Sequence, residues 1–264
     1  MIKKYLSLVS TITKKNSKIY NIKLFPIYLV VISYISYALT PLFITLRLSA
    51  NFITGVNFII SIMSIYCIIS LDNNLFCYGI YLYILFRVLD VSDGTIARHT
   101  KTSSFYGRFL DAILDIFYQY FLTISVTFFI SSLYKDNSIL YAGVVVSVFS
   151  TFSSCIHDKY SSLARWSNLE NKTKIIPYLR RSVLPRIQYI GDDITVVALI
   201  SLPFLLNNSF MLYNVFLIYL SVIFLTSIIN ILKHIVSAQK NFKILARDRN
   251  YYAKKTKKKK KLFK

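Results

Sequence analysis

Apolar residues run along this chain in blocks rather than in alternation. Six blocks, at about 53–70, 75–93, 108–132, 138–156, 190–206 and 210–232, have the ~17–25 residues that a bilayer-crossing helix needs. Ten-residue alternating strands of a membrane barrel are not seen. No solenoid-like repeat is visible either. In lipid, every backbone polar group must be paired within the protein, and helices do this one by one. The pattern therefore predicts an all-α integral membrane protein, a six-transmembrane-helix bundle. The fifth block opens on Asp192 and Asp193, which suit a helix cap.

A further apolar stretch, "LFPIYLVVISYISYALTPLFIT" at 24–45, lies between Lys23 and Arg47. A crossing there would put the basic N-terminal segment outside. The expectation is an N-terminal interfacial amphipathic helix, broken near Pro41, with its tyrosines at headgroup depth. The chain then divides into a basic segment with that helix (1–48), the six-helix membrane domain (49–234) and a basic tail, largely disordered (235–264).

Charge adds orientation. The formal net charge is +21, with 32 Lys and Arg against 11 Asp and Glu. Six of the basic residues precede residue 24, and others gather in 98–108, 159–186 and 233–264. The connections near 71–74, 133–137 and 207–209 hold a single Lys135. Basic residues collect on the cytoplasmic side of short loops, so both termini and the 94–107 and 157–189 loops are expected there. The tail "KKTKKKKKLFK" reads as a solvated run that enforces topology and attracts anionic lipid, not as a nucleic-acid site. The N-terminal apolar run "YLSLVSTI" is short and lacks a small-residue cleavage site. Cys67, Cys77 and Cys155 form no metal spacing; Cys67 and Cys77 could both lie near the outer ends of their helices but read as buried thiols.

Against this background one stretch stands out. "DVSDGTIARHTKTSSFYGRFLDAILD", residues 90–115, holds four of the eleven carboxylates at the junction of the second and third spans. Asp90 and Asp93 are three residues apart, and Asp111 and Asp115 four apart, so each pair shares a helix face. Antiparallel helices joined by the 94–107 segment bring all four together. Close carboxylates cannot all ionise unaided. Either protonation, as in a proton-coupled transporter, or a hard divalent cation must compensate them. An all-oxygen ligand set selects Mg²⁺, Mn²⁺ or Ca²⁺, and Mg²⁺ is typically shared with substrate phosphates. Gly94 and Ala97 leave an open backbone surface at the helix end, Gly107 lets the next helix approach, and Arg98 is placed to hold a phosphate. Phosphoryl chemistry at a membrane surface follows.

The arrangement Asp90-x-x-Asp93-Gly94-x-x-Ala97-Arg98, eight residues, Gly107-x-x-x-Asp111-x-x-x-Asp115 resembles the signature of the CDP-alcohol phosphotransferases (CDP-alcohol phosphatidyltransferases). All eight signature positions match in type and spacing. "SANFIT" (49–54) is similar to the family's Pro-Asn-x-x-Thr opening of the first span: Asn51 and Thr54 fit, while Ala50 replaces the proline. An interfacial helix before the first span also belongs to the family's plan.

The resemblance implies transfer of a substituted phosphate from a CDP-linked donor (CDP-diacylglycerol or a CDP-alcohol) to an alcohol or phospho-alcohol acceptor. CMP is released, and the setting is phospholipid biosynthesis. It implies Mg²⁺ or Mn²⁺, one ion or two, on Asp90, Asp93 and Asp111. Asp115 is then the general base, also touching the metal site. Asn51, Thr54, Gly94, Ala97, Arg98 and Gly107 face the nucleotide along with Asp90, Asp93 and Asp111. Acceptor contacts are expected from basic residues of the 157–189 loop, where Lys159, Arg165, Arg180, Arg181 and Arg186 are available, and Lys159, Arg165 and Arg186 are the candidates. Asp192 and Asp193 have a second use, positioning a polyol acceptor. Arg87 pairs with a carboxylate or with a headgroup, and His157 is a span-end residue. The expected setting is the cell inner membrane, active site on the cytoplasmic side, with membrane lipid as a partner, a homodimer allowed and no nucleic acid. The rival function is a cation- or proton-coupled transporter using the aspartate cluster.

Overall fold

The computed structural model describes residues 7, 9–13, 27–171, 201, 204, 206 and 208–247. Its long elements are α1 (Ile27–Thr45), α2 (Ala50–Ile69), α3 (Asn73–His99), α4 (Phe105–Tyr134), α5 (Asn137–Asn171) and α6 (Ser209–Arg247). Among the described residues there is no strand. The five helices α2 to α6 are long and apolar enough to cross a membrane. They correspond to five of the six expected spans. The remaining one, 190–206, lies outside the described residues except for 201, 204 and 206. Arg180, Arg181, Arg186, Asp192, Asp193 and the lysine tail also lie outside them.

Local chemistry sets the helix ends. Ser49, Asp72 and Ser104 precede α2, α3 and α4, and their side-chain oxygens accept from Phe52 N (3.2 Å), Asn74 N (2.7 Å) and Gly107 N (2.9 Å). These caps satisfy amide donors that have no partner within the helix. At the opposite ends the chain turns through left-handed residues, none of them glycine: Arg47 (φ 56°), Leu71 (61°), Lys101 (60°) and Lys135 (53°). After Lys101, the Thr102 N–H donates to Ala97 O at 3.0 Å, and after Lys135 the Asp136 N–H donates to Ser131 O at 3.0 Å. Terminal carbonyls are closed off in this way, and the next helix starts at once.

An aromatic seam joins α3 to α4. Phe76 stacks on Phe129 with centroids 4.0 Å apart, and Phe86 lies 4.1 Å from Tyr118. All four rings are buried. This antiparallel register carries function. Seven residues on from Phe86 along α3 is Asp93, and seven back from Tyr118 along α4 is Asp111. Four on and three back are Asp90 and Asp115. The apolar register thus levels the carboxylates.

Small residues set the other contacts. Between α2 and α3, the Ser64 hydroxyl donates to Gly79 O at 2.8 Å, and a Cβ on Gly79 would come 2.6 Å from Ile68 Cγ1. Between α4 and α5, a Cβ on Gly143 would collide with the Thr127 side chain. Helices α5 and α6 run parallel, since Phe149 meets Phe224, His157 meets His234, and Tyr160 accepts from Asn241. Tyr213, near the start of α6, donates to Asp136 in the α4–α5 turn at 3.0 Å.

Helix α1 packs on α3 through Ser36 Oγ and Ser92 Oγ, 2.8 Å apart. Its inward face carries Ser33, Ser36, Tyr37 and Thr40, and its outward face Val31, Tyr34, Ile35 and Leu42. Two expectations change here. The helix continues through Pro41 instead of breaking, since a proline removes one backbone hydrogen bond and bends a helix more readily than it ends a well-packed one. Tyr37, moreover, is buried in the protein, whereas Tyr34 faces outward.

Candidate active site

The end of α3, the turn 100–104 and the start of α4 enclose a cavity of about 260 Å³ against the first turns of α2. Ala50, Asn51 and Thr54 line it from α2, and Asp93, Gly94, Ala97 and Arg98 from α3. Gly107, Arg108 and Asp111 close it from α4, with Thr102, Ser103 and Ser104 of the turn above them. Of the nine residues expected to face the nucleotide, eight are in this wall. The ninth, Asp90, is not.

Each wall residue is held in place. Thr54 Oγ1 donates to Asp93 Oδ2 at 2.6 Å, which ties α2 to α3 and satisfies a buried carboxylate oxygen. Such charge-assisted bonds are the short, strong ones. The Arg98 guanidinium donates to Thr95 Oγ1 at 3.1 Å and lies over Gly94, where a Cβ would stand 3.2 Å from Nη1. The open surface read from Gly94 and Ala97 is thus partly taken by Arg98 itself. At Gly107 a Cβ would approach Ser104 Oγ to 3.2 Å and Asn51 Oδ1 to 3.8 Å. The absence of a side chain there lets the start of α4 close on α2.

Below the cavity the carboxylates separate into two roles. Asp90, Asp111 and Asp115 each offer an oxygen within 4.8 Å of the others. Asp93 instead points to Thr54 in the cavity wall. Asp111 belongs to both sets. An ion ~2.1 Å from each ligand holds opposite oxygens ~4.2 Å apart, so modest side-chain rotation would seat a Mg²⁺-sized cation on the trio. All three donors are hard oxygens, so the residues fit the divalent metal that the resemblance implies. Arg87 lies alongside, its Nη1 3.7 Å from Asp90 Oδ2 and 3.7 Å from Asp115 Oδ1. The open choice for Arg87 between carboxylate and headgroup falls on the carboxylates.

The acceptor candidates are not gathered here. Lys159 and Arg165 are on exposed positions of α5 and are not among the cavity-lining residues. His157 has a partner that the sequence did not announce: its Nδ1 is 2.9 Å from Nε2 of buried His234, whose Nδ1 is 2.6 Å from Asn230 O. A carbonyl only accepts, so Nδ1 of His234 donates to it, and in the neutral ring Nε2 then accepts from His157. The sequence reading also missed Thr102, Ser103, Ser104 and Arg108. The one available signal was Ser104 three residues before Gly107, a capping pattern that fixes the turn beside the site.

The family model of CDP-alcohol phosphatidyltransferase matches residues 47–226, well over half of the chain. No curated protein matches it. With the matched segment spanning α2 to α5 and the start of α6, and six of its eight signature residues in the walls of one cavity, the chain belongs to the CDP-alcohol phosphatidyltransferase family, whose chemistry is transfer of phosphate from a CDP-alcohol to an acceptor.

Proposed function

We propose that this chain transfers a substituted phosphate from CDP-diacylglycerol or a CDP-alcohol to the hydroxyl of an alcohol or phospho-alcohol, releasing CMP, as a step of phospholipid biosynthesis. One observation carries the reading. Asp111 is at once a wall of a cavity near the size of small-molecule sites (~300 Å³ and above) and a member of a carboxylate trio spaced for a cation. A nucleotide seat and a place for its pyrophosphate's counter-ion therefore share a side chain.

In this reading the CMP half of the donor rests against Gly94, Ala97 and Gly107, with Asn51 and Thr54 on the α2 side. Arg98 and Arg108 face its phosphates, and the hydroxyls of Thr102, Ser103 and Ser104 are available to ribose or phosphate oxygens. Asp90, Asp111 and Asp115, with Asp93 nearby, would hold Mg²⁺ or Mn²⁺, which when bound neutralises the pyrophosphate and makes CMP a better leaving group. Asp115 takes the proton of the acceptor hydroxyl. That oxygen forms the new bond to the phosphorus bearing the alcohol group. The bond from this phosphorus to the CMP oxygen breaks, and its electron pair leaves with CMP. Charge bias supports a cytoplasmic site, because the 94–107 loop beside the cavity belongs to the basic set.

Purified protein, offered a panel of CDP-donors and hydroxyl acceptors, should release CMP with at least one pair. Absence of CMP release across CDP-diacylglycerol and CDP-alcohols with sugar, polyol, amino-alcohol and phosphorylated acceptors would overturn the proposal.

A further inference from the structure

Arg87 stands one turn before Asp90, in the apolar run "YLYILFRVLDV", with its side chain only 16% exposed. A cation inside a span is costly alone and persists when paired. Here it is paired twice, and across two helices: to Asp90 of α3 and to Asp115 of α4, each at 3.7 Å. Formal charge gives the pairing a meaning. Three ionised carboxylates and one guanidinium leave two negative charges, which one divalent ion balances. A planar guanidinium can face two carboxylates at fixed angles, whereas an ammonium acts as a single point.

We infer that Arg87 is a positioning residue for the transfer reaction, a built-in cation that draws the Asp115 carboxylate of α4 to Asp90 of α3 and fixes its direction. This rests on the reading of Asp115 as base. Arg87 acts through that carboxylate and does not replace the metal. The same charge repels an incoming divalent ion, so removing it has opposite consequences for metal binding and for turnover. A residue that merely supported the fold would lower both.

The test uses full-length protein in detergent, with Arg87→Gln, Arg87→Lys, Asp115→Asn and the Arg87→Gln/Asp115→Asn double variant. Readouts are kcat and donor KM for the best pair of the panel, CMP binding, and Mn²⁺ affinity by electron paramagnetic resonance without substrate. In Arg87→Gln, kcat should fall about tenfold or more, a fraction of the ~10²–10⁴ that a general base supplies. Donor KM and CMP binding should stay within about twofold, and Mn²⁺ should bind several-fold tighter, as expected when a like charge is removed. Arg87→Lys should recover part of kcat and keep the wild-type Mn²⁺ affinity. The double variant should be no slower than Asp115→Asn, as for groups acting as a unit. Unchanged kcat in Arg87→Gln beside an inactive Asp115→Asn overturns the inference alone. So does a joint fall of kcat, CMP binding and Mn²⁺ affinity. If Arg87→Gln does not elute as a folded protein, Arg87→Lys decides, and wild-type kcat there overturns the inference. Full activity in Asp115→Asn instead removes the base assignment on which it stands.

Discussion

Thr54 on α2 donates to Asp93 on α3 at 2.6 Å, and both side chains line the same cavity. The contact links the Asn51/Thr54 element of the first span to the signature in the second. Thr54→Val keeps the shape and leaves a buried carboxylate oxygen without its donor. Hydrogen bonds to charged groups contribute ~1.5–3 kcal/mol. CMP affinity, measured by calorimetry, should therefore drop about tenfold or more, and Thr54→Ser should restore it. Wild-type affinity in Thr54→Val would show that Asp93 needs no such support.

Asp115→Asn should abolish transfer while leaving donor binding largely intact. Asp115 lies one turn beyond Asp111 along α4 and is outside the cavity wall that would hold the nucleotide. Asp115 is also one of the three carboxylates spaced for a cation, so the comparison is made at saturating Mg²⁺, where removal of the base lowers turnover by ~10²–10⁴-fold. Asp93→Asn should instead weaken donor binding, because Asp93 is in the wall. Near wild-type CMP release in Asp115→Asn with a verified acceptor would move the base role to another carboxylate.

Activity should vanish with a chelator and return with Mg²⁺ or Mn²⁺, since Asp90, Asp111 and Asp115 offer only hard oxygens within 4.8 Å of each other. Titration of EDTA against CMP release checks this. Full activity in excess EDTA would remove the metal assignment.

Much of this site could be read from sequence because its spacings are helical. Asp90 with Asp93, and Asp111 with Asp115, share faces by their intervals, and the apolar blocks predicted the helices that carry them. The register that levels the two pairs was less legible. It comes from Phe76 on Phe129 and Phe86 on Tyr118, and aromatic residues are too frequent here to single those out. Thr102, Ser103 and Arg108 reach the cavity through a turn with Lys101 left-handed, a conformation no residue type announced. The His157–His234 pair joins residues 77 apart in helices whose parallel packing no local pattern encodes. Proline at 41 read as a break, but packing against α3 keeps the helix intact.

At the opposite end of the bundle, Asp136 accepts from Ser138 Oγ at 2.6 Å, Ser138 N at 2.9 Å and Tyr213 Oη at 3.0 Å. The Ser138 bonds first, and then Tyr213, hold its carboxyl below the usual range. A folded-state value below the unfolded one contributes stability above ~pH 3.9, lost as pH falls through the lower folded value. The difference in melting temperature between wild type and Asp136→Ala should be constant from pH 5 to 8 and shrink below about pH 4. A difference that stays constant down to pH 2 would show that the ionised carboxylate contributes nothing.

The last expectation concerns topology: six crossings, with both termini cytoplasmic. Outer connections hold only Lys135 among the 32 basic residues, and a basic bias of this kind orients spans. The structure adds a geometric constraint. Asn73 opens α3 and Asn208 precedes α6, and the Tyr213–Asp136 bond puts the start of α6 beside the α4–α5 turn. Since α3 and α4 are antiparallel neighbours joined at the cavity, the start of α3 and the α4–α5 turn lie together, away from the cavity. Cysteines placed at Asn73 and Asn208, in a background with Cys67, Cys77 and Cys155 replaced, should therefore react with a membrane-impermeant maleimide from outside intact cells. A cysteine at Lys101, in the turn above the cavity, should react only after the membrane is opened. Labelling of Lys101→Cys from outside, with Asn73→Cys silent, would invert the orientation and put the site on the other face. Labelling of Asn73→Cys but not Asn208→Cys would break the link between α6 and the α4–α5 turn, and with it the six-crossing count.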